Sequence, residues 1–227
     1  MTTFDALDNP IWESLTSIHA NMARSNGSAR RYANQVSPLA AVSKPTPTAF
    51  SDLAALVKSG EHVGLFTAKP LQFADDWEAI RSRPIEQMIC SELIWESPRS
   101  PLELGCNDVP EMLALTAATE PGPFLAEAIR MGRYFGIRSN DGRLIAMAGE
   151  RLKLDGFTEI SAVCTAPEFR GRGIARTLVA YLVAQTLNEG KMPFLHVKAE
   201  NGAKVLYQKL GFRVRRTIQL TVISHAR

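Results

Sequence analysis

Hydrophobic residues form their clearest pattern in the second half of the chain. Ile160 to Thr165 is a short apolar run rich in β-branched residues, which predicts a buried strand. From Ile174 onward the apolar residues recur at helical spacing, and Gly190 is placed to end that helix. Between them lies Arg170-Gly-Arg-Gly173, a turn with two flexible residues and two guanidinium groups. The pattern therefore predicts a strand, a basic glycine loop and a helix in succession.

The same reasoning predicts mixed α/β structure along the whole chain. In the first half it indicates helices near 11–19, 51–60 and 77–80, and strands at 40–42, 62–66 and 85–94. In the second half it indicates strands at 102–104, 134–137, 144–154 and 194–197, with one or two more between 212 and 223. Further helices are expected over 108–118, in a short turn ending near 131, and from Asn201 onward.

The best candidate for a domain boundary is the proline-containing stretch from Pro98 to Pro101. It divides the chain into an N-terminal α/β subdomain, residues 1–98, and a second domain, residues 99–227. The first part carries 8 Lys or Arg and 11 Asp or Glu, and the second carries 18 and 12. The resulting net charges of −3 and +6 would draw an anionic ligand to the second part and a cationic one to the first.

A basic glycine loop before a helix suits a phosphate group. The first N–H groups of a helix have no internal acceptors, and the helix dipole is positive there. Glycine lets a ligand approach the backbone, and arginine adds paired donors. The loop lacks the Gly-Lys-Ser/Thr ending of nucleoside-triphosphate loops and the third glycine of the dinucleotide fingerprint. An ordinary strand-to-helix turn with solvent-facing arginines is the alternative interpretation.

Two motifs in order resemble the GNAT superfamily of N-acetyltransferases. Arg170-x-x-Gly173-x-Ala175 is similar to its acetyl-coenzyme A signature, Gln/Arg-x-x-Gly-x-Gly/Ala. Further along, Asn201 to Phe212 is similar to the Asn…Ala…Leu-Tyr-x-Lys-x-Gly-Phe segment that closes the fold. The resemblance covers residues 100–227, and within the superfamily the chain looks closest to the glycine N-acyltransferase-like branch.

The resemblance implies a mixed α/β fold in which helices flank a central mixed sheet. Residues 1–98 would be an α/β extension, for which a degenerate half-copy of the same fold is one hypothesis. The co-substrate would be acetyl-CoA, and no metal ion would take part.

The resemblance also implies a role for particular residues. Tyr207 corresponds to the tyrosine that protonates the departing thiolate, with a packed helix tyrosine as the alternative. Asn201 corresponds to an asparagine that contacts the pantetheine arm. The other residues implied to bind acetyl-CoA are Val163, Cys164, Thr165, Arg170, Gly171, Arg172, Gly173, Ile174 and Ala175.

Glu159, eleven residues before Arg170, is the expected general base. A carboxylate beside an apolar cleft gains pKa through desolvation and can then accept a proton from the amine. An exposed strand-edge glutamate is the alternative, and Glu150 and His196 are the reserve candidates. Strict alternation places Cys164 on the opposite face from Glu159, so we expect a buried cysteine rather than an acyl carrier.

Composition narrows the class of partner. No window of 18 apolar residues appears, which argues against a membrane partner, and the N-terminus lacks the features of a secretory signal. The three cysteines, Cys90, Cys106 and Cys164, are widely spaced and in no metal pattern, which favours a cytoplasmic location. Basic residues are dispersed without aromatic interleaving, so nucleic acid is not an expected partner.

The expected function is acetyl-CoA-dependent acetylation of a primary amine on a small molecule, amino acid or peptide. The acetyl group would move directly within a ternary complex. The alternative is a coenzyme A-binding sensor or regulatory domain without turnover. We further expect residues 1–98 to form part of the acceptor site, with a scaffold that merely covers the sheet as the alternative.

Overall fold

The computed structural model describes residues 4–71, 76–95 and 100–225. Its α-helices are α1 (Pro10–Thr16), α2 (Pro47–Ala54), α3 (Val109–Thr119), α4 (Ile174–Asn188) and α5 (Ala203–Lys209). Its strands are β1 (Ala23–Asn26), β2 (Ala29–Tyr32), β3 (Ala40–Val42), β4 (His62–Thr67), β5 (Trp77–Ile89), β6 (Leu102–Leu104), β7 (Tyr134–Arg138), β8 (Leu144–Leu154), β9 (Phe157–Thr165), β10 (Met192–Val197) and β11 (Arg213–His225). Single 3₁₀ turns lie at Asp5–Asp8, Ala20–Met22, Cys106–Asp108, Ala128–Met131 and Pro167–Phe169.

The strands form two sheets. Eight of them make a large sheet in the order β4-β11-β5-β10-β9-β8-β7-β6, and β1 to β3 make a small one. In the large sheet β9 and β10 run parallel, whereas β9 is antiparallel to β8 and β10 is antiparallel to β5. The predicted fold class, a central mixed sheet flanked by helices, is therefore confirmed.

The large sheet is covered on both faces. On one face, α4 packs its buried side chains against strand residues such as Ile160 and Leu195. On the other face, α3 packs around Met112 and Cys164, and the N-terminal segment packs around Leu7. Strand β9 thus has one side toward α4 and the other toward α3 and the N-terminal segment.

Local chemistry explains where α2 begins. The Thr46 hydroxyl accepts a hydrogen bond from the Ala49 N–H at 3.3 Å, and Pro47 occupies the first turn, where its missing N–H costs nothing. The helix therefore starts before the predicted residue 51, and it ends at Ala54 rather than near residue 60.

The prediction of a helix at 77–80 is wrong. Trp77–Ile89 is a single strand that pairs with β11 from Trp77 opposite His225 to Ile89 opposite Arg213. The residues from 78 to 82 are all exposed, so they carry little alternation to reveal a strand. The backbone partners come from the far end of the chain, and this tertiary pairing decides the conformation.

The predicted boundary at Pro98 lies outside the described residues. Strands from both sides of it share the large sheet, because β5 forms hydrogen-bonded pairs with β10 and with β11. The division into residues 1–98 and 99–227 stays a prediction. A chain cut there would lose the strand that joins β10 to β11.

Strands β9 and β10 separate soon after they begin to pair. Their pairing runs only from Phe157 opposite Met192 to Glu159 opposite Phe194. Beyond that point β9 stays paired with β8, and β10 stays paired with β5. A gap therefore opens between their carboxyl ends, at the end of β9 where the glycine loop begins.

Candidate active site

The predicted glycine loop connects β9 to α4. Gly171 and Gly173 both have a φ of +75°, in the left-handed region where other residues are strained. Gly173 is the N-cap residue of α4. The two glycines turn the chain from strand to helix and place no side chain over the start of the helix.

The start of α4 presents free backbone donors. Its first backbone hydrogen bond runs from the Thr177 N–H to the Gly173 carbonyl at 3.1 Å. The N–H groups of Ile174, Ala175 and Arg176 come earlier and have no acceptor within the helix. Together with the positive end of the helix dipole, these donors form a place suited to an anion.

The two predicted arginines of the loop are exposed, and each donates to a backbone carbonyl. Arg172 also lies over the Phe169 ring, 5.1 Å from its centre. Arg170 Nε donates to the Thr165 carbonyl at 3.2 Å, and Arg172 Nη2 donates to the Glu168 carbonyl at 3.2 Å. Neither forms an ion pair with a carboxylate of the described residues. By contrast, the neighbouring Arg143 is paired with the Glu168 carboxylate at 2.5 Å. The positive charge of the loop is thus left available to a ligand.

Two cavities meet at the loop. The smaller, about 240 Å³, lies between the loop, Thr165 and Leu206 of α5. The larger is a groove of about 520 Å³ between Trp95, the β7–β8 hairpin and the first turn of α4. The Arg176 guanidinium lies over the Trp95 ring, 4.3 Å from its centre. Gly173 and Arg176 line both cavities. The two cavities are therefore continuous and form one trough around the start of α4.

A bulge in β9 changes which face each later side chain occupies. Ala162 has a φ of +52°, and the pairing with β8 shifts between Ser161 opposite Gly149 and Cys164 opposite Met147. Cys164 therefore packs with α3 on the face away from α4, the face that also receives Glu159. The prediction that strict alternation separates these two residues is wrong, because the extra residue of the bulge resets the alternation.

The β9 residues that are predicted to bind acetyl-CoA lie along one open edge of the strand. Cys164 and Thr165 pair with Met147 and Ala146 of β8 on one side. On the other side, no described strand pairs with Val163, Cys164 or Thr165, since β10 has already separated. That edge can receive a ligand that forms backbone hydrogen bonds.

The two candidates near α5 have different surroundings. Tyr207 is 7% exposed and packs edge-to-face on Phe212, with ring centres 5.9 Å apart. Burial raises the pKa of Tyr207 to about 12, and no described residue hydrogen-bonds its hydroxyl. Asn201 is exposed, and its Oδ1 accepts from the Ala203 N–H at 2.9 Å, as a helix-capping residue does. The roles of both residues toward acetyl-CoA stay predictions.

Glu159 is fully buried at the other end of β9. Its carboxylate accepts two hydrogen bonds from Arg151, at 2.6 and 2.8 Å, and lies 2.7 Å from His196 Nδ1. Burial by itself would raise the pKa of Glu159, but the charge and hydrogen bonds of Arg151, together with the hydrogen bond to His196, outweigh it and hold the pKa at about 2. The prediction that the pKa of Glu159 is raised is therefore wrong. A role for Glu159 as the general base stays a prediction, but the raised pKa no longer supports it.

Glu150, a reserve candidate, is also buried in ion pairs. Arg133 donates to it at 2.7 Å and Lys153 at 2.9 Å. Burial would raise the pKa of Glu150, but these hydrogen bonds lower it. Arg133 also pairs with Glu189, just past the end of α4, so Glu150 lies toward the opposite end of that helix from the glycine loop.

Comparisons with known proteins place this arrangement in a family. The family model described as FR47-like protein matches residues 134–220. A solved structure from Novosphingobium aromaticivorans, assigned as a GNAT-family acetyltransferase, is 36% identical; the match covers 97% of this chain and 99% of that one, with a TM-score of 0.90. The chain belongs to the GNAT family of acetyltransferases.

More distant GNAT structures share the fold. A GCN5-related N-acetyltransferase from Kribbella flavida is 15% identical over 95% of this chain and 93% of its own, with a TM-score of 0.64. A GCN5-related N-acetyltransferase-like protein from Streptococcus suis is 16% identical over 95% and 92%, with a TM-score of 0.61. No match was found among curated proteins. The resemblance to the GNAT superfamily is confirmed, and the glycine N-acyltransferase-like branch stays a prediction.

Membership of the GNAT family makes the chain an enzyme that transfers acetyl groups. Among residues 4–71, 76–95 and 100–225, no cluster of three His, Cys, Asp or Glu side chains could hold a metal ion. No helix of that same part of the chain is long and apolar enough to cross a membrane.

Sequence reasoning missed several residues around Glu159 and the loop. Arg151 lies on the hairpin partner of β9, so the turn at Asp155-Gly156 was a usable signal for a cross-strand pair. Gln87 and Trp95 come from the first half of the chain, where no motif marks them. Gln87 contacts His196 because β5 pairs with β10, and Trp95 follows β5 in the chain and lies under the Arg176 guanidinium.

Proposed function

We propose that this GNAT protein is an acetyl-CoA-dependent N-acetyltransferase acting on a primary amine of a small molecule, amino acid or peptide. The observation that carries the proposal is the position of the glycine loop. It joins exposed arginines and free N–H groups at the start of α4 to the open edge of β9. A phosphate-bearing thioester fits both features at once.

The donor would follow the trough around the start of α4. Its pyrophosphate would lie on the loop, where the N–H groups of α4 and the arginines point. The pantetheine arm would pass through the smaller cavity, beside Thr165 and Leu206, toward the edge of β9. The nucleotide end would occupy the larger groove, where Trp95 offers an aromatic surface and Arg176 a positive charge.

The reaction would be attack of the amine nitrogen on the thioester carbonyl carbon, followed by cleavage of the C–S bond. A backbone N–H at the edge of β9, among Val163, Cys164 and Thr165, would stabilise the oxyanion. Tyr207 would give its phenolic proton to the leaving thiolate, and the proton released by the amine would restore it. Because its pKa is raised to about 12, Tyr207 is protonated throughout the neutral range.

Direct transfer is favoured over an acyl-cysteine intermediate by the state of Cys164. This side chain is buried against α3, and burial raises the pKa of its thiol. A thiol with a raised pKa holds little of the nucleophilic thiolate at neutral pH. A ternary complex of donor, acceptor and enzyme therefore fits the site better than a two-step route.

We also propose that the first part of the chain contributes to the acceptor site. The N-terminal segment covers the same face of the sheet as α3, which is the side of β9 that carries Glu159 and Cys164. The net charge of −3 in residues 1–98 would favour a cationic amine. Removing these residues would also remove β5, so substitutions on that face test the proposal better than truncation.

The function is tested by a thiol-release assay with acetyl-CoA over a panel of amines, amino acids including glycine, and peptides. Turnover on at least one primary amine, with saturation in both substrates and intersecting initial-rate lines, is expected for a ternary complex. Parallel lines would contradict direct transfer. Tight acetyl-CoA binding with no turnover on any acceptor would instead support a sensor.

A further inference from the structure

A row of buried polar side chains crosses the large sheet next to the point where β9 and β10 separate. Arg151 on β8 holds Glu159 on β9, and Glu159 contacts His196 on β10 at 2.7 Å. His196 Nε2 lies 3.1 Å from the Nε2 of Gln87 on β5, and Arg215 on β11 donates to Gln87 Oε1 at 2.9 Å. A continuous series of side-chain contacts thus spans five adjacent strands.

The orientation of the Gln87 amide is fixed from two directions. Its Oε1 accepts from the Arg215 guanidinium, and its Nε2 donates to the Leu7 carbonyl at 2.9 Å. An amide nitrogen can only donate, so the Nε2 of His196 must be the acceptor in their contact. The ring proton of a neutral His196 is then on Nδ1, where it is donated to Glu159. Gln87 therefore sets the tautomer of His196, and the tautomer sets the bond to Glu159.

This bond lies beyond the last backbone pair of the two strands. Backbone pairing of β9 with β10 ends at Glu159 opposite Phe194, and His196 is two residues farther along β10. The contact between Glu159 and His196 is therefore a cross-strand tie at the closed end of the gap. A fully satisfied buried network of this kind rigidifies its surroundings and favours one arrangement of the strands.

The same row reaches the N-terminal segment. Gln87 donates to the Leu7 carbonyl, and Arg215 donates to the Phe4 carbonyl at 2.9 Å and to Asp8 at 2.5 Å. The N-terminal segment is thus held against β5 and β11, the two strands next to β10 on the side away from the gap.

We propose that His196 and Gln87 are positioning residues that fix the separation of β9 and β10, and through it the fit of the acyl donor's pantetheine arm. The proposal rests on the proposed function, because acetyl-CoA is the ligand whose fit it describes. The free edge of β9 can bind the extended pantetheine arm only if the gap between β9 and β10 has the width that the arm requires. The contact between His196 and Glu159 fixes the distance between the two strands at the point where the gap begins.

The test compares two substitutions of His196 in the full chain. His196→Asn retains a side-chain N–H near the position of Nδ1, whereas His196→Leu fills similar volume without a donor. Acetyl-CoA affinity is measured by calorimetry on the folded protein, and stability is measured by urea unfolding. We expect His196→Leu to weaken affinity about tenfold, as loss of a charge-assisted hydrogen bond would, and His196→Asn to recover most of it.

Equal affinity of wild type and folded His196→Leu would overturn the inference, and so would an equal loss in both variants. A wild type that does not bind acetyl-CoA would overturn the proposed function as well, which separates the two failures.

A second readout needs no ligand. The ¹⁵N spectrum of the wild-type His196 ring should show a protonated Nδ1 and an unprotonated Nε2. Gln87→Met, which leaves His196 and Glu159 in place, should release this preference and weaken acetyl-CoA affinity. If His196→Leu does not fold, an unchanged tautomer or unchanged affinity in Gln87→Met overturns the inference instead.

Discussion

The two ends of β9 carry charge in opposite ways. In the loop that follows its carboxyl end, Arg170 and Arg172 are exposed and form no ion pair with a carboxylate of the described residues; they donate to backbone carbonyls, and Arg172 also lies over the Phe169 ring. At its amino end, Glu159 is fully buried and accepts hydrogen bonds from Arg151 and His196. The positive charges beyond one end of β9 are therefore available to a ligand, whereas the negative charge near the other end is already paired within the protein.

This difference indicates how to distinguish residues that bind a ligand from residues that stabilise the fold. A buried ion pair offsets the free-energy cost of its desolvation only when both partners and their hydrogen bonds are present, so removing one partner lowers stability strongly. An exposed, unpaired arginine contributes little to stability and keeps its donors for an anion. We therefore expect substitutions at the amino end to change stability most, and substitutions at the loop to change affinity.

The largest effect on stability should come from Glu159→Gln. It leaves the Arg151 guanidinium without its carboxylate in a buried site, so the free energy of unfolding should fall by about 3–5 kcal/mol. Urea unfolding measures this fall. Glu127→Gln is the control, since Glu127 pairs with Arg130 on the surface and its loss should cost about 1 kcal/mol or less.

The pH dependence of the same pair of proteins checks the ionised state of Glu159. The pKa of Glu159 in the folded protein, about 2, is below its ordinary value of 4.5. Its contribution to stability is therefore present above pH 4.5 and is lost as the pH falls toward 2. The stability difference between wild type and Glu159→Gln should shrink over that range. Normal stability of Glu159→Gln with greatly reduced turnover would instead favour Glu159 as the catalytic base.

Tyr207→Phe tests the proposed proton donor on α5. Loss of a general acid should lower kcat about 10²-fold, while the acetyl-CoA dissociation constant stays unchanged. Steady-state kinetics and calorimetry measure the two quantities. Because the pKa of Tyr207 is raised to about 12, its ionisation should not lower the wild-type rate until the pH approaches that value.

The matched control for the phenol is Tyr181→Phe. Tyr181 lies on α4 and packs edge-to-face on Phe135, with ring centres 5.0 Å apart. Its hydroxyl has no role in the proposed reaction, so kcat should be unchanged. Equal kcat in wild type and Tyr207→Phe would remove the proton-donor role.

At the loop, Arg170→Ala or Arg172→Ala should weaken acetyl-CoA binding by about 1.5–3 kcal/mol, the range of a hydrogen bond to a charged group. Calorimetry measures the affinity. Arg143→Ala is the control, because Arg143 also lies against Phe169 but is already paired with Glu168. Unchanged affinity in both loop variants would remove the phosphate-binding role.

The smallest effect should come from the turn itself. Gly173→Ala places a side chain at a φ of +75°, which should cost roughly 1–2 kcal/mol of stability even though the nearest atom would be 3.8 Å away. Gly202→Ala, at a φ of −56° with open space around it, should change stability by less than about 0.5 kcal/mol. Thermal unfolding of the two variants compares them, and equal loss in both would contradict a strained turn.

Local patterns were enough to predict the loop and the elements around it. Strand β8 has the predicted bounds, Leu144–Leu154, and α4 begins at the predicted Ile174. These elements are marked by local signals, namely the periodicity of their apolar residues and the glycines that flank them. The fold class followed from these elements together with the resemblance to the GNAT superfamily.

The surroundings of Glu159 could not be predicted in the same way. Its pKa depends on Arg151 across a hairpin and on His196 from a later strand. The bulge at Ala162 left no residue-type signal, since alanine rarely adopts a positive φ. Strand β5 was missed over 77–80 because its partner, β11, lies at the far end of the chain. Each of these features arises from pairing between distant segments.

The central claim is that the loop arginines serve a ligand rather than the fold, and ligand-linked unfolding tests it most directly. Urea unfolding of wild type and of the double variant Arg170→Ala/Arg172→Ala is measured with and without acetyl-CoA. Without ligand, the two should unfold with free energies within about 0.5 kcal/mol of each other. At a concentration 100 times the wild-type dissociation constant, wild type should gain about 2.7 kcal/mol and the double variant less than about 0.5 kcal/mol. Equal gains in both proteins, or a double variant that is as unstable without ligand as Glu159→Gln, would contradict the account.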